Sequence, residues 1–165
     1  MSNKILKDKK GVTLIETLVA LSMLVIGLVS ALSLMTSSIV FSRSSEDSLV
    51  VVNLARENIE FLRSMRSLNG FSSLSSGSYI VQTAEDGSLS LDSVTGEIAE
   101  CTNCRLYLVD GRYEHAGTAE NLTRYRRMVT ISNIGSTEKE VISQVYWTER
   151  GREHNYTLEI FLTDW

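Results

Sequence analysis

Proline is absent from all 165 residues of this chain, so no helix in it is obliged to kink at a missing amide, and any loosening must fall near Gly27 or the serines. Charge is absent over a long stretch as well, since no side chain between Glu16 and Arg43 carries one. Histidine and cysteine are scarce, two of each. A zinc site needs four ligands, and His115 and His154 lie far in sequence from Cys101 and Cys104, so no metal is expected. No nucleophile, base and orienting acid fall at catalytic spacing, and no glycine-rich loop is placed to cradle a phosphate. The sequence therefore predicts no enzyme, no catalytic residue and no cofactor. Basic residues are outnumbered, 16 against 20 acidic for a net of −4, which makes nucleic acid an unlikely partner.

What is present begins with Lys9-Lys10-Gly11, four further residues, Glu16 and an apolar run that continues to Phe41. The run is long enough for a helix to cross a hydrocarbon core that needs about 20 residues. Residues 1–11 carry four lysines and Asp8, a net of +3, which holds that end in the cytoplasm and sends the rest outward. Glu16 lies near the start of the run, where a carboxylate in lipid costs roughly 2.5–3.5 kcal/mol and marks a functional partner. A cut after Gly11 would supply a cation, because the new amine of Val12 would stand four residues before Glu16 on one helix face. That amine would lie at the positive end of the helix dipole, and a first-turn carboxylate offsets the penalty.

At Gly11, Val12-Thr13-Leu14-Ile15-Glu16 and Thr17-Leu18-Val19-Ala20-Leu21 the chain resembles the type IV pilin superfamily. The resemblance implies cleavage between Gly11 and Val12 by a prepilin peptidase, N-methylation of Val12, and pairing of Glu16 with the terminal amine of a neighbouring subunit. Val12 stands where phenylalanine or methionine is more usual. The implied partners are other pilin subunits, major and minor, the peptidase and the membrane. The implied location is the cytoplasmic membrane before assembly, as a single-pass protein, and a pilus or pseudopilus at the surface or in the periplasm afterwards.

Two other readings of the front end fit less well. A secretory signal peptide has an apolar core of about 7–15 residues and a small-x-small cleavage site. Ala31-Leu32-Ser33 offers such a site, but the apolar run passes it and Glu16 would interrupt the core. A plain single-pass anchor for a binding domain leaves Glu16 without a purpose.

After the apolar run the helical pattern resumes with Val52, Ala55, Ile59 and Leu62, flanked by Val51, Leu54, Phe61 and Met65, while Arg56, Glu57, Glu60, Arg63 and Arg66 take the other face. The expected organisation is a leader at 1–11 and a helix over 12–66, with its membrane half at 14–41. An exported domain follows at 67–165, made of a variable loop at 67–122 and an antiparallel sheet at 123–165. Within it, strands are expected at Tyr79 to Thr83 and Arg105 to Val109, with turns at Asp86-Gly87, Thr95-Gly96 and Asp110-Gly111. Three more strands are expected at Tyr125 to Ile134, Glu140 to Thr148 and Tyr156 to Trp165. In the last, Tyr156, Leu158, Ile160 and Leu162 share one face, which asks for a cover, and the amphipathic half of the helix is available to supply it. The fold class is therefore α+β, a long N-terminal helix packed on a small antiparallel sheet, in a pilin-like arrangement.

Cys101 and Cys104 lie in the exported part, where a disulfide is permitted. A redox pair usually opens a helix, whereas a strand is expected here, so a local structural disulfide is favoured over free thiols and over a redox or metal role. Arg124, Arg126, Arg127, Arg150 and Arg152 read as solvated strand arginines rather than a patch for anions or DNA. The three-strand tail ending in Leu162-Thr163-Asp164-Trp165 and the helix phrase Asn53-Leu54-Ala55-Arg56-Glu57-Asn58-Ile59-Glu60, which resembles a segment of minor pilins, lean toward the minor pilin among pilin-like systems without separating them sharply. Type II secretion and competence pseudopilins share the same front end and stand as the alternative.

Overall fold

The computed structural model describes residues 13–83 and 88–164; the leader, Val12, the expected Asp86-Gly87 turn and Trp165 lie outside them. The chain forms two compact units that part between Glu46 and Asp47. One helix, α1 (Leu14–Asn69), continues through the boundary and runs through Gly27 without a break.

In the first unit every described residue is exposed, including Leu14, Leu24, Met35 and Phe41. A helix apolar on all sides, with no protein against it, is suited to lipid or to other helices rather than water. Six of its hydroxyls are satisfied within the helix. Those of Thr17, Ser22, Ser30, Thr36, Ser37 and Ser45 donate to carbonyls three or four residues back, at 2.8–3.0 Å, which leaves little polar demand on a membrane interior.

In the second unit α1 buries Asp47, Val51, Leu54, Ala55, Asn58, Ile59, Phe61 and Leu62. The buried stripe is rotated slightly from the apolar face read in the sequence. Val52 is only half-buried, while two polar residues, Asp47 and Asn58, are inside. The helix ends three residues later than expected. Gly70 is the first residue able to take a left-handed conformation, with φ of 83°, and its amide donates to the Arg66 carbonyl at 3.0 Å.

Among the described residues seven strands follow, all antiparallel and in one sheet: β1 (Gly77–Thr83), β2 (Leu89–Val94), β3 (Arg105–Val109), β4 (Arg112–Glu114), β5 (Leu122–Asn133), β6 (Glu138–Glu149) and β7 (Arg152–Thr163). The segment at 67–122 thus contributes four strands, two of them, β1 and β3, at the positions expected. β1 pairs with the second half of β5, Tyr79 opposite Val129, and β3 with the first half, Arg105 opposite Arg126. The other edge of β5 carries β6 and then β7. β2 and β4 escaped the sequence reading because neither buries a residue. β4 exists through its hairpin with β3, where Asp110 and Gly111 both take positive φ, as a type I′ turn requires. Arg150 and Gly151 do the same between β6 and β7, so β7 begins earlier than Tyr156.

The period of two sorts the sheet into two faces. Val129, Ile131, Val141 and Leu162 pack with Ile59, Phe61 and Leu62 of the helix, and Tyr125 and Val145 with Val51, Leu54 and Ala55. Each such fully buried side chain contributes about 1.5–3 kcal/mol. Ile80 and Met128 alternate onto the opposite face, where they form a separate cluster with Ile98, Cys101 and Cys104. The α+β arrangement expected from the sequence is present, a long helix on a C-terminal antiparallel sheet, and the sheet carries a second small core on its other side.

Candidate functional site

The chemistry expected at the front of the chain centres on Gly11, Val12 and Glu16. Gly11 and Val12 lie outside the described residues. Thr13 is the residue from which the helix starts, and its hydroxyl accepts the Glu16 amide at 3.4 Å while its carbonyl accepts the Glu16 and Thr17 amides at 3.0 and 3.2 Å. Glu16 is thereby the third residue of α1 and the acid of its first turn. This is the threonine-x-x-glutamate pattern of a helix start, a signal present in the sequence that assigns Thr13 a role the motif alone did not. A helix start leaves its first amides without intrahelical partners, and the carboxylate sits there, where the backbone dipole favours it. It is exposed, beside an equally exposed apolar surface. Such a group can receive a cation from outside its own chain.

Among the described residues, α1 is the one helix long and apolar enough to cross a membrane. Residues 6–32 match the family described as the prokaryotic N-terminal methylation motif. The match contains Gly11, Val12, Thr13 and Glu16 and points to a type IV pilin or pseudopilin, a kind of structural subunit that is processed by prepilin peptidase and assembles with other pilin subunits. No curated protein and no solved structure matches the chain. The motif and the apolar helix together fit a membrane-anchored subunit.

The remaining candidates lie in the second unit. Cys101 and Cys104 are joined, and both sulfurs are buried. The Cys104 carbonyl accepts the Arg127 amide at 2.8 Å, which fastens the disulfide loop to β5. His115, distant in sequence, sits against the same loop, its Nδ1–H donating to the Asn103 carbonyl at 3.1 Å. Burial, and secondarily the nearby Arg127 guanidinium, push its pKa down to about 4.

The five arginines do not form one surface. Arg127 is buried and pairs with Glu57 of the helix at 2.6 Å. Arg124 and the Tyr125 hydroxyl both meet the buried carboxylate of Asp47, the tyrosine at 2.8 Å. Burial and the bond to Asp47 raise the Tyr125 pKa to about 12. Arg126 points to the other face, toward the Ile98 carbonyl. The sequence carried no signal for these pairs, because their members are 70 or more residues apart.

Proposed function

We propose that this protein is a minor pilin or pseudopilin of a type IV pilus-like filament, cut between Gly11 and Val12, methylated on the Val12 amine and held in the filament by Glu16. The observation that carries this reading is the position of Glu16: the first turn of an exposed apolar helix, inside a matched methylation motif. Once the leader is removed, 12 basic residues face 19 acidic ones, a net of −7 for the mature chain. Its new amine is then a cation in apolar surroundings, and a neighbour's Glu16 neutralises it. Assignment to pili rather than to type II secretion or competence rests on the three-strand tail β5 to β7 and the Asn53 to Glu60 phrase.

Two measurements test it. Mass spectrometry of the exported protein should find N-methylvaline derived from Val12 at the terminus; Met1 or Leu34 there would refute processing. Glu16→Val separates assembly from anchoring. An anchor loses an expensive charge and inserts as well or better. A filament subunit leaves the partner's amine unpaired, at a cost of several kcal/mol. The variant should still be cut and reside in the membrane, yet be lost from sheared filaments at least tenfold. Recovery at the wild-type level would overturn the pairing.

A further inference from the structure

The outer face of the sheet, away from the helix, places two arginines directly side by side. Arg105 on β3 and Arg126 on β5 are direct cross-strand neighbours, and both are half-buried. The same row continues across the sheet to Tyr146 on β6 and Asn155 on β7. The Arg126 guanidinium lies 5.8 Å from the centre of the Tyr146 ring, and its hydrogen bond to the Ile98 carbonyl is long, at 3.4 Å. Among the described residues no carboxylate pairs with either guanidinium. Like charges directly opposite on one sheet face are destabilising, and a partly desolvated cation without a counter-ion adds to that cost. The fold nevertheless holds them in place. Arg105 follows Cys104 immediately, so the disulfide and the Cys104–Arg127 backbone bond anchor its strand beside β5.

Both residues line a cavity of about 380 Å³, together with Thr123, Tyr146 and Thr148, and with Glu153 the one carboxylate there; the Thr123 hydroxyl already donates to the Leu106 carbonyl at 2.7 Å. A third arginine, Arg124, also borders it but is already engaged by Asp47. We propose that this cavity is an oxyanion site, in which a carboxylate or phosphate group of a ligand from outside the chain bridges Arg105 and Arg126. Guanidinium groups present parallel N–H donors matched to two such oxygens. An anion between them would remove the repulsion that the empty row carries. Tyr146 forms a flat flank against which the body of the ligand can lie.

The test uses the full chain in a neutral detergent, melted in sodium chloride, in inorganic phosphate and in malonate at matched ionic strength. Phosphate, malonate or both should raise the melting temperature by about 3 °C over chloride, and the one that does so assigns phosphate or carboxylate as the ligand group. Arg105→Gln should abolish the rise, and in chloride it should melt no lower than wild type because the repulsion is relieved. Arg152→Gln, at the exposed β6–β7 turn, should keep the rise. Should Arg105→Gln not fold, Arg126→Gln reads the same loss. No rise with either anion, a rise that persists in the Arg105 and Arg126 variants, or an Arg105→Gln protein that melts lower in chloride would each overturn the site.

Discussion

At the residue scale the second unit is held by polar groups that the apolar pattern does not announce. Lys139 is buried, and its ammonium donates to the carbonyls of Phe71 and Leu74, the first at 3.0 Å, while lying 4.5 Å from the Phe71 ring centre. Both belong to the chain just after α1; the Phe71 carbonyl also accepts the Leu74 amide at 3.3 Å, so the Leu74 carbonyl is the one that depends on the lysine. Lys139→Met keeps the apolar stem and removes the donor, so it should cost about 1–3 kcal/mol, one unsatisfied buried group, measurable by denaturant unfolding. His115 makes the fold sensitive to acid. Its pKa is about 4 folded against an ordinary 6.5, so between these values the unfolded chain binds more protons. The stabilisation from burying a neutral ring is complete above about pH 6.5 and is lost as pH falls toward 4, by on the order of 2–3 kcal/mol. His115→Gln should therefore flatten the decline in melting temperature between pH 7 and pH 4.5; an unchanged decline would assign the acid sensitivity elsewhere.

Among the elements, α1 serves two environments with one backbone. Its first part is apolar on all sides, whereas from Asp47 onward the buried positions recur every three or four residues and the exposed ones are mostly polar, Leu49 and Leu68 apart. The disulfide segment is a different kind of element, short and irregular, whose job is to cover Ile80 and Met128 on the face opposite the helix. The loop it closes is too small for the gain of about 3 kcal/mol expected near 15 residues. Reduction should act locally. Hydrogen exchange on the reduced protein should show faster amides from Ile98 to Arg105, with those from Leu54 to Leu62 unchanged. Acceleration of both together would mean that the two cores unfold as one.

For the whole molecule, the boundary between Glu46 and Asp47 separates a lipid-suited unit from one whose three apolar clusters lie entirely within residues 50–162. A fragment of residues 47–165 should accordingly be soluble without detergent and melt in one cooperative transition by circular dichroism. Aggregation or a featureless melt would show that the first unit is needed for the fold.

The sequence alone determined what depends on near neighbours: the uncharged apolar run, the basic leader, the glycine-to-glutamate spacing, the alternation of Tyr156, Leu158, Ile160 and Leu162, and the glycine turns at 111 and 151. Each is a local pattern, because membrane crossing, peptidase recognition, strand pleating and positive φ are set by adjacent residues. Only the tertiary structure decided that β5 shares one edge between β1 and β3, and that β2 and β4 extend the sheet beyond them. It also decided that Asp47, Glu57 and Asn58 face Tyr125, Arg127 and Ser143, and that Arg105 and Arg126 stand together over one cavity. Such partners meet through strand register and long-range closure, and a buried aspartate or a paired arginine has the same local sequence appearance as a solvated one.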